Sequence, residues 1–385
     1  MLEWILAGGV TAAGVGAAGM IVDKSWGKAS NYARPLGVVY GLWPKLFTKE
    51  KYAELAGARS QQDLIRLCVE EGYHTLAPLS QKRCAPEACE EAIQEYLADH
   101  FKDVYEAVGA RKGDVVTVLA RCKHDYSNLK IFLKTRFSDA EAAAPKPVFS
   151  RLGTIDFKAL WELSLEECWN ALPKHLGNAG RAAEAKFTET GEPLLVDAVL
   201  DKELFKQLFS AARKNKFFSD LVALEADLLN LRALLRARIH GDAGVLEEAF
   251  IENAAKNSTL DSALGAVSGP ASGQAFFSLE SLKEFFASDL NDFQKLLADS
   301  PFSPLFPALL EFRKTGSFAV FDKKSREFLL EQMVYGLKFQ GVGPETVYCY
   351  LTLKENEAAN VLKIIKAKTL GLEKEVPGLL TEVVA

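Results

Sequence analysis

Beyond residue 45 the apolar positions recur with a helical period. Leu221, Leu224, Leu228, Leu231 and Leu235 fall at steps of three, four, three and four, which lines them along one helix face. Cys89, Ile93, Tyr96 and Leu97 keep the same rhythm and leave Glu90 and Glu91 for the solvated side. Helix starts are marked by a hydroxyl with an acid three residues on, at Ser60 and Asp63, Ser138 and Glu141, and Ser164 and Glu167. Gly343-Pro344 opens another helix, with proline where no hydrogen bond is lost. Prolines avoid the middles of the periodic runs. They gather in Pro145-Lys146-Pro147 and at Pro301, Pro304 and Pro307, which read as linkers or sharp turns. Strand candidates are few and short: Val115–Leu119, Leu194–Leu200 and Ser317–Phe321. None alternates well, so the expected fold class is all-α with at most minor β.

Length refines this picture. At roughly 150 residues per domain, 385 residues allow two or three domains. With 49% apolar and 25% charged residues the chain is ordinary globular material. Its net charge of -5 carries no basic excess of the kind that nucleic-acid binders use to neutralise phosphates. The six cysteines (Cys68, Cys84, Cys89, Cys122, Cys168, Cys349) contain no CxxC, and the five histidines show no HxxxH spacing. The cysteines read as reduced, buried apolar residues, which places the bulk of the chain in the cytoplasm.

One stretch departs from this composition. Residues 5–22 carry no charge, and eight of the 27 glycines lie within the first 41 residues. A secretory signal would want a basic start, and the only early charge is Glu3. A membrane span needs about 20 apolar residues, which the stretch only just meets. Gly14, Gly16 and Gly19 spell GxGxxG, but no strand–turn–helix rhythm follows and Arg34 stands where a ribose-binding acid is wanted. The expected role is a buried or membrane-associated apolar extension, residues 1–30.

A repeat with a long period organises the rest. Residues 125–134 and 227–236 share the pattern D-x-x-N-L-[KR]-x-[FL]-L-[KR], and residues 357–366 are a fainter third copy. The candidate residues are Asp125, Asn128 and Lys130, then Asp227, Asn230 and Arg232, then Glu357, Asn360 and Lys363. An acid and an asparagine three apart share a helix face. Asparagine is a poor mid-helix residue, so its recurrence points to a satisfied polar contact, either capping a neighbouring helix or bridging loops. A structural bond inside each unit is the plainer reading and a partner contact the sharper one. Recurrence in unlike surroundings argues against catalysis. Leu129, Phe132 and Leu133 are expected inward, Lys130 and Lys134 outward. Copies about 100 and about 130 residues apart give three helical units, 31–145, 146–248 and 249–385.

These motifs resemble those of the C subunit of V/A-type rotary ATPases, the counterpart of the eukaryotic d subunit. Asn31-Tyr32-Ala33-Arg34 is similar to that family's opening helix. The segments at 125–134 and 224–232 resemble its two D-x-x-N-L copies, and Gly341 to Pro344, Tyr350 to Val361 and Gly371-Leu372 resemble its ending. The resemblance implies three related helical domains about a pseudo-threefold axis, funnel-shaped, with no catalysis and no cofactor or metal. It implies a socket, one copy per complex, peripheral on the cytoplasmic face of the membrane. That socket takes the central shaft subunits on one side, sits on the membrane rotor ring on the other, and transmits torque for proton or sodium transport. Two features depart from the family. About 30 residues precede the opening helix, and Pro35 after Arg34 disfavours helix there, which moves the expected helix start downstream. Lys323-Lys324-Ser325-Arg326, Lys363 with Lys366 and Lys368, and Arg232 with Arg236 and Arg238 are basic clusters that suit a headgroup-facing end or a solvated face.

The chain lacks GxxxxGK[ST], GxSxG, HExxH and EF-hand patterns. The alternative function is a membrane-tethered helical adaptor unrelated to the motor, anchored by residues 5–22. A nucleotide enzyme using Gly14, Gly16 and Gly19 stands further off.

Overall fold

The computed structural model describes residues 24–81, 83–108, 114–137, 147–252, 276–288, 297, 300–338, 343–372 and 375–382. Every regular element among them is helical. In chain order these are α1 (Lys24–Leu42), α2 (Lys49–Ala56), α3 (Gln61–Glu70), α4 (Pro86–Val108) and α5 (Val115–Phe137). Then come α6 (Phe157–Leu160), α7 (Leu165–Ala171), α8 (Lys174–Thr190), α9 (Pro193–Ala212), α10 (Lys216–His240) and α11 (Ala243–Ala249). The last group is α12 (Leu279–Ala287), α13 (Phe306–Thr315), α14 (Ala319–Leu337), α15 (Pro344–Leu370) and α16 (Val376–Leu379). The three strand candidates are corrected by this. Val115–Leu119 opens α5, Leu194–Leu200 lies in α9, and Ser317–Phe321 enters α14. Short apolar runs do not declare their period, and each is extended by helix-forming sequence that decides it.

The caps follow the sequence. Ser60 accepts from the Asp63 amide ahead of α3, and Ser164 and Glu167 make a reciprocal capping box ahead of α7. Gly343 precedes α15, whose first residue is Pro344. The pair at Ser138 and Glu141 lies outside the described residues, as do residues 5–22 with their GxGxxG. At their far ends α10 and α15 stop at Gly241 (φ 68°) and Gly371 (φ 73°), left-handed positions that cost a glycine nothing.

Pro35 does not delay the first helix. α1 begins at Lys24 and runs through Pro35. An interior proline costs about 3 kcal/mol through its missing N–H. Tyr32, Leu36 and Val39 of the same helix are buried against the core. At roughly 1.5–3 kcal/mol for each buried side chain, their burial outweighs the defect.

Early and late helices pack together. α15, near the C-terminus, lies against α1, α2, α3, α4 and α5 as well as α14 and α16. α9 bridges α5 and α8 to α10 and α11, and α10 in turn meets α12 and α14. One apolar cluster runs through all of them, from Tyr32 to Leu380.

Helices approach closely where α8 crosses α7. Trp169 is buried, donates its indole N–H to Glu184 (2.6 Å) and lies over Gly177 and Gly180. A Cβ at Gly180 would overlap the Trp169 ring, and one at Gly177 would overlap the Trp169 carbonyl. The Gly180→Ala variant is therefore expected to lose about 1–3 kcal/mol despite alanine's better helix propensity. Urea midpoints read this directly, and an unchanged or raised midpoint would contradict the close packing.

Candidate functional site

The three motif copies lie on α5, α10 and α15, and all three asparagines are fully buried. Asn128 donates through Nδ2 to the Ser150 carbonyl (2.8 Å) and accepts from the Ser150 amide (2.8 Å). Asn230 makes the same pair with Ile251 (3.0 and 2.7 Å). Asn360 makes it with Thr381 (2.9 and 3.0 Å). The partner lies 22, 21 and 21 residues downstream. A primary amide offers one donor and one acceptor side by side, as a backbone residue does. It therefore substitutes for a neighbouring strand and satisfies both polar groups of a residue with no ladder of its own.

The acids hold the chain slightly farther on. Asp125 accepts from the Thr154 amide (2.7 Å), the Thr154 hydroxyl (2.6 Å) and the Ile155 amide (3.1 Å). Asp227 accepts from the amides of Phe276 (2.7 Å) and Phe277 (3.3 Å). Glu357 turns back to the start of the chain. It accepts from the Phe47 amide (2.8 Å) and the Tyr73 hydroxyl (2.8 Å), and pairs with Lys354 (2.5 Å). The Lys354 ammonium sits among the rings of Phe47, Tyr73 and Tyr96 at 5.1–5.7 Å from their centroids, a desolvated cation–π setting.

The basic members of the motifs also reach forward. Lys130 and Lys134, expected outward, cross to Asp201 (2.5 Å) and Asp197 (2.6 Å) on α9. Arg232 pairs with Asp322 (2.7 Å) on α14 and lies over the Phe318 ring. Lys363 donates to the Leu379 carbonyl (3.1 Å) and the Thr381 hydroxyl (3.2 Å). Burial and the nearby Lys323 and Arg326 push its ammonium pKa down. Other basic-cluster residues are engaged internally too. Lys324 pairs with Glu327, Lys366 with Glu90, and Arg238 donates to the carbonyls of Phe285 and Ser288.

Sequence reasoning missed the place where the three motif helices meet. Lys123 of α5 reaches Glu225 of α10 (2.5 Å) and the Tyr348 hydroxyl of α15 (3.0 Å). Beside it, His124 contacts Glu355 of α15 (3.3 Å). Burial pulls the Lys123 pKa down, but Glu225 and Tyr348 outweigh it and the net shift is upward. The available signal was that Lys123, Glu225 and Glu355 all stand two residues before their motif acids. Among the described residues no group of His, Cys, Asp and Glu side chains is arranged to hold a metal ion. No described helix is long and apolar enough to cross a membrane.

What these residues build is a helical scaffold in which each motif helix grips chain that follows it and the last also grips the first. Residues 36–264 and 270–377 match the family model described as ATP synthase (C/AC39) subunit. The chain is similar to the C subunit of the A-type ATP synthase of Methanocaldococcus jannaschii, with 25% identity over 353 residues, covering 86% of this chain and 81% of the relative. It is similar to the protein of the same name from Halorubrum lacusprofundi, with 23% identity over 345 residues, covering 86% and 91%. The chain belongs to the ATP synthase C/AC39 family.

Two outcomes test this geometry. Asn230→Ala leaves a buried amide and a buried carbonyl unpaired, an expected local cost of about 2–4 kcal/mol. Hydrogen exchange at the Ile251 amide should accelerate accordingly, and unchanged protection would remove the clamp. Burial raises the Asp227 pKa to about 7, against the lowering effect of the Phe276 and Phe277 amides. The folded chain therefore binds this proton more tightly than the unfolded chain. Its stabilising contribution is full below the unfolded value near 4 and is lost as pH rises through 7. Between pH 4 and pH 7–8 the wild type should lose up to about 4 kcal/mol relative to Asp227→Asn. Urea midpoints of both proteins across that range measure it, and a pH-independent difference would contradict the shift.

Proposed function

We propose that this chain is the non-catalytic central-stalk socket of an A/V-type ATP synthase. It couples the shaft of the soluble ATP-processing head to the membrane rotor ring and transmits torque for proton or sodium transport. The observation that carries the reading is the family match across nearly the whole described chain. The two relatives above are named as C subunits of A-type ATP synthases, and this chain assembles by the same likeness.

Physical features support it. A torque-bearing part must not shear internally. The Lys123–Glu225–Tyr348 joint ties the three motif helices to one another. The Glu357–Phe47 and Glu357–Tyr73 bonds tie the end of the chain to its start. On this reading the units 31–145, 146–248 and 249–385 stand about a pseudo-threefold axis as a funnel. The protein is present in one copy, peripheral to the membrane on its cytoplasmic face, and binds no nucleic acid and no cofactor.

Detergent-solubilised membranes carrying a tagged chain should yield shaft and ring subunits with it. Selective removal of the chain should leave ATP hydrolysis by the head intact and abolish ATP-driven ion transport. Recovery of the tagged chain alone, or ion transport that persists without it, would sink the proposal.

A further inference from the structure

Three thiols gather where the first helices meet the end of α15, and two of them touch. Cys84 Sγ lies 2.7 Å from Cys89 Sγ. That is inside the ~3.5–4.0 Å at which unbonded heavy atoms rest. Cys68 of α3 is close enough to influence the Cys89 thiol. The backbone around the pair is fixed. The Gln61 side chain accepts from the Cys84 amide (3.1 Å) and donates to the Cys84 carbonyl (3.0 Å), the same two-bond grip that the motif asparagines use. Cys89 is set in the first turn of α4, its amide bonded to the Ala85 carbonyl. Neither sulfur needs a helix to move in order to meet the other.

We propose that Cys84 and Cys89 are a thiol–disulfide modification site, closed to an intramolecular disulfide by a low-molecular-weight disulfide oxidant. Exposure sets the order of events. Cys84 is 8% exposed and Cys89 fully buried, so the oxidant meets Cys84 first. The Cys84 thiol gives its proton to solvent and the thiolate attacks one sulfur of the oxidant. The oxidant's S–S bond breaks, a mixed disulfide forms and one small thiolate leaves to take a proton from water. Cys89, already in contact, attacks the Cys84 sulfur, its proton passing to the second departing thiolate. Two protein thiols are oxidised to one disulfide and the oxidant is reduced to two thiols. Burial pushes the Cys89 thiol up, which leaves it the weaker attacker of the two, and contact with the Cys84 sulfur is what lets it resolve the mixed disulfide.

The position gives the modification a consequence. Gln61 also donates to the Thr369 hydroxyl (2.8 Å), and Arg83 donates to the Thr369 carbonyl (3.1 Å). Oxidation therefore staples the start of α4 to the segment that holds the last turn of α15, at the seam between the two ends of the chain.

The test uses the native full chain and oxidised glutathione, followed by iodoacetamide, trypsin and mass spectrometry. Cys84 and Cys89 share the tryptic peptide 84–102. The expected product is that peptide unalkylated and lighter by two hydrogens, restored to two alkylated cysteines by dithiothreitol. Cys68→Ser should leave the product unchanged, and Cys89→Ser should trap glutathione on Cys84. The proposal is overturned if both thiols still alkylate after oxidation of the native chain. It is equally overturned if Cys68 takes a place in the disulfide, or if the wild type stops at the mixed disulfide.

Discussion

The fold depends on one repeated interaction, a buried asparagine amide paired with both backbone groups of a residue 21 or 22 positions downstream. The constraint is one of supply. Ser150, Ile251 and Thr381 lie outside regular structure. Their amides and carbonyls are in part-buried or buried surroundings, where an unpaired group costs about 1–3 kcal/mol. A helix cannot lend its own backbone, which is spent internally, so it lends a side chain that imitates backbone. The helical body can therefore route irregular chain through its interior without a sheet to receive it.

The acids beside the asparagines show how environment separates identical chemistry. Asp125 receives three donors, one of them a hydroxyl, whereas Asp227 accepts, among the described residues, from the Phe276 and Phe277 amides. Burial then dominates at Asp227 and raises its pKa. Glu357 is compensated differently, by the Lys354 ammonium, the Tyr73 hydroxyl and a wall of aromatic rings. Burying an ion pair is costly unless its remaining hydrogen bonds are filled, and here the third copy fills them with groups from the opposite end of the chain.

Much of this was legible in the sequence, and the rest was hidden for physical reasons. Helical periods fixed the faces of α4 and α10, and Ser60, Ser164 and the Gly343-Pro344 pair marked starts where helices begin. The asparagines announced a satisfied polar contact because they are expensive inside a helix. Their partners could not be read, because a backbone amide has no side-chain signature and any residue supplies one. The Lys123–Glu225–Tyr348 joint was illegible for a related reason. Lys123 and Glu225 look like solvated helix charges, and Tyr348 like an ordinary core ring, until three distant helices converge. Pro35 misled because the local rule is sound but the burial of Leu36 and Val39 outweighs it. The strand candidates misled because a five- to seven-residue apolar run fits either period.

The bond from Glu357 to Phe47 joins residues 310 positions apart, and that to Tyr73 spans 284. A ribosome delivers the N-terminus first, and domains that close on local contacts can fold as they emerge. Here α1 to α4 pack on one another and also against α15, which is made much later. During synthesis, then, the part of their apolar surface that faces α15 is covered only when that helix arrives. The Glu357 bonds therefore close only after α15 has been made, and this part of the core forms late however early its first helices appear.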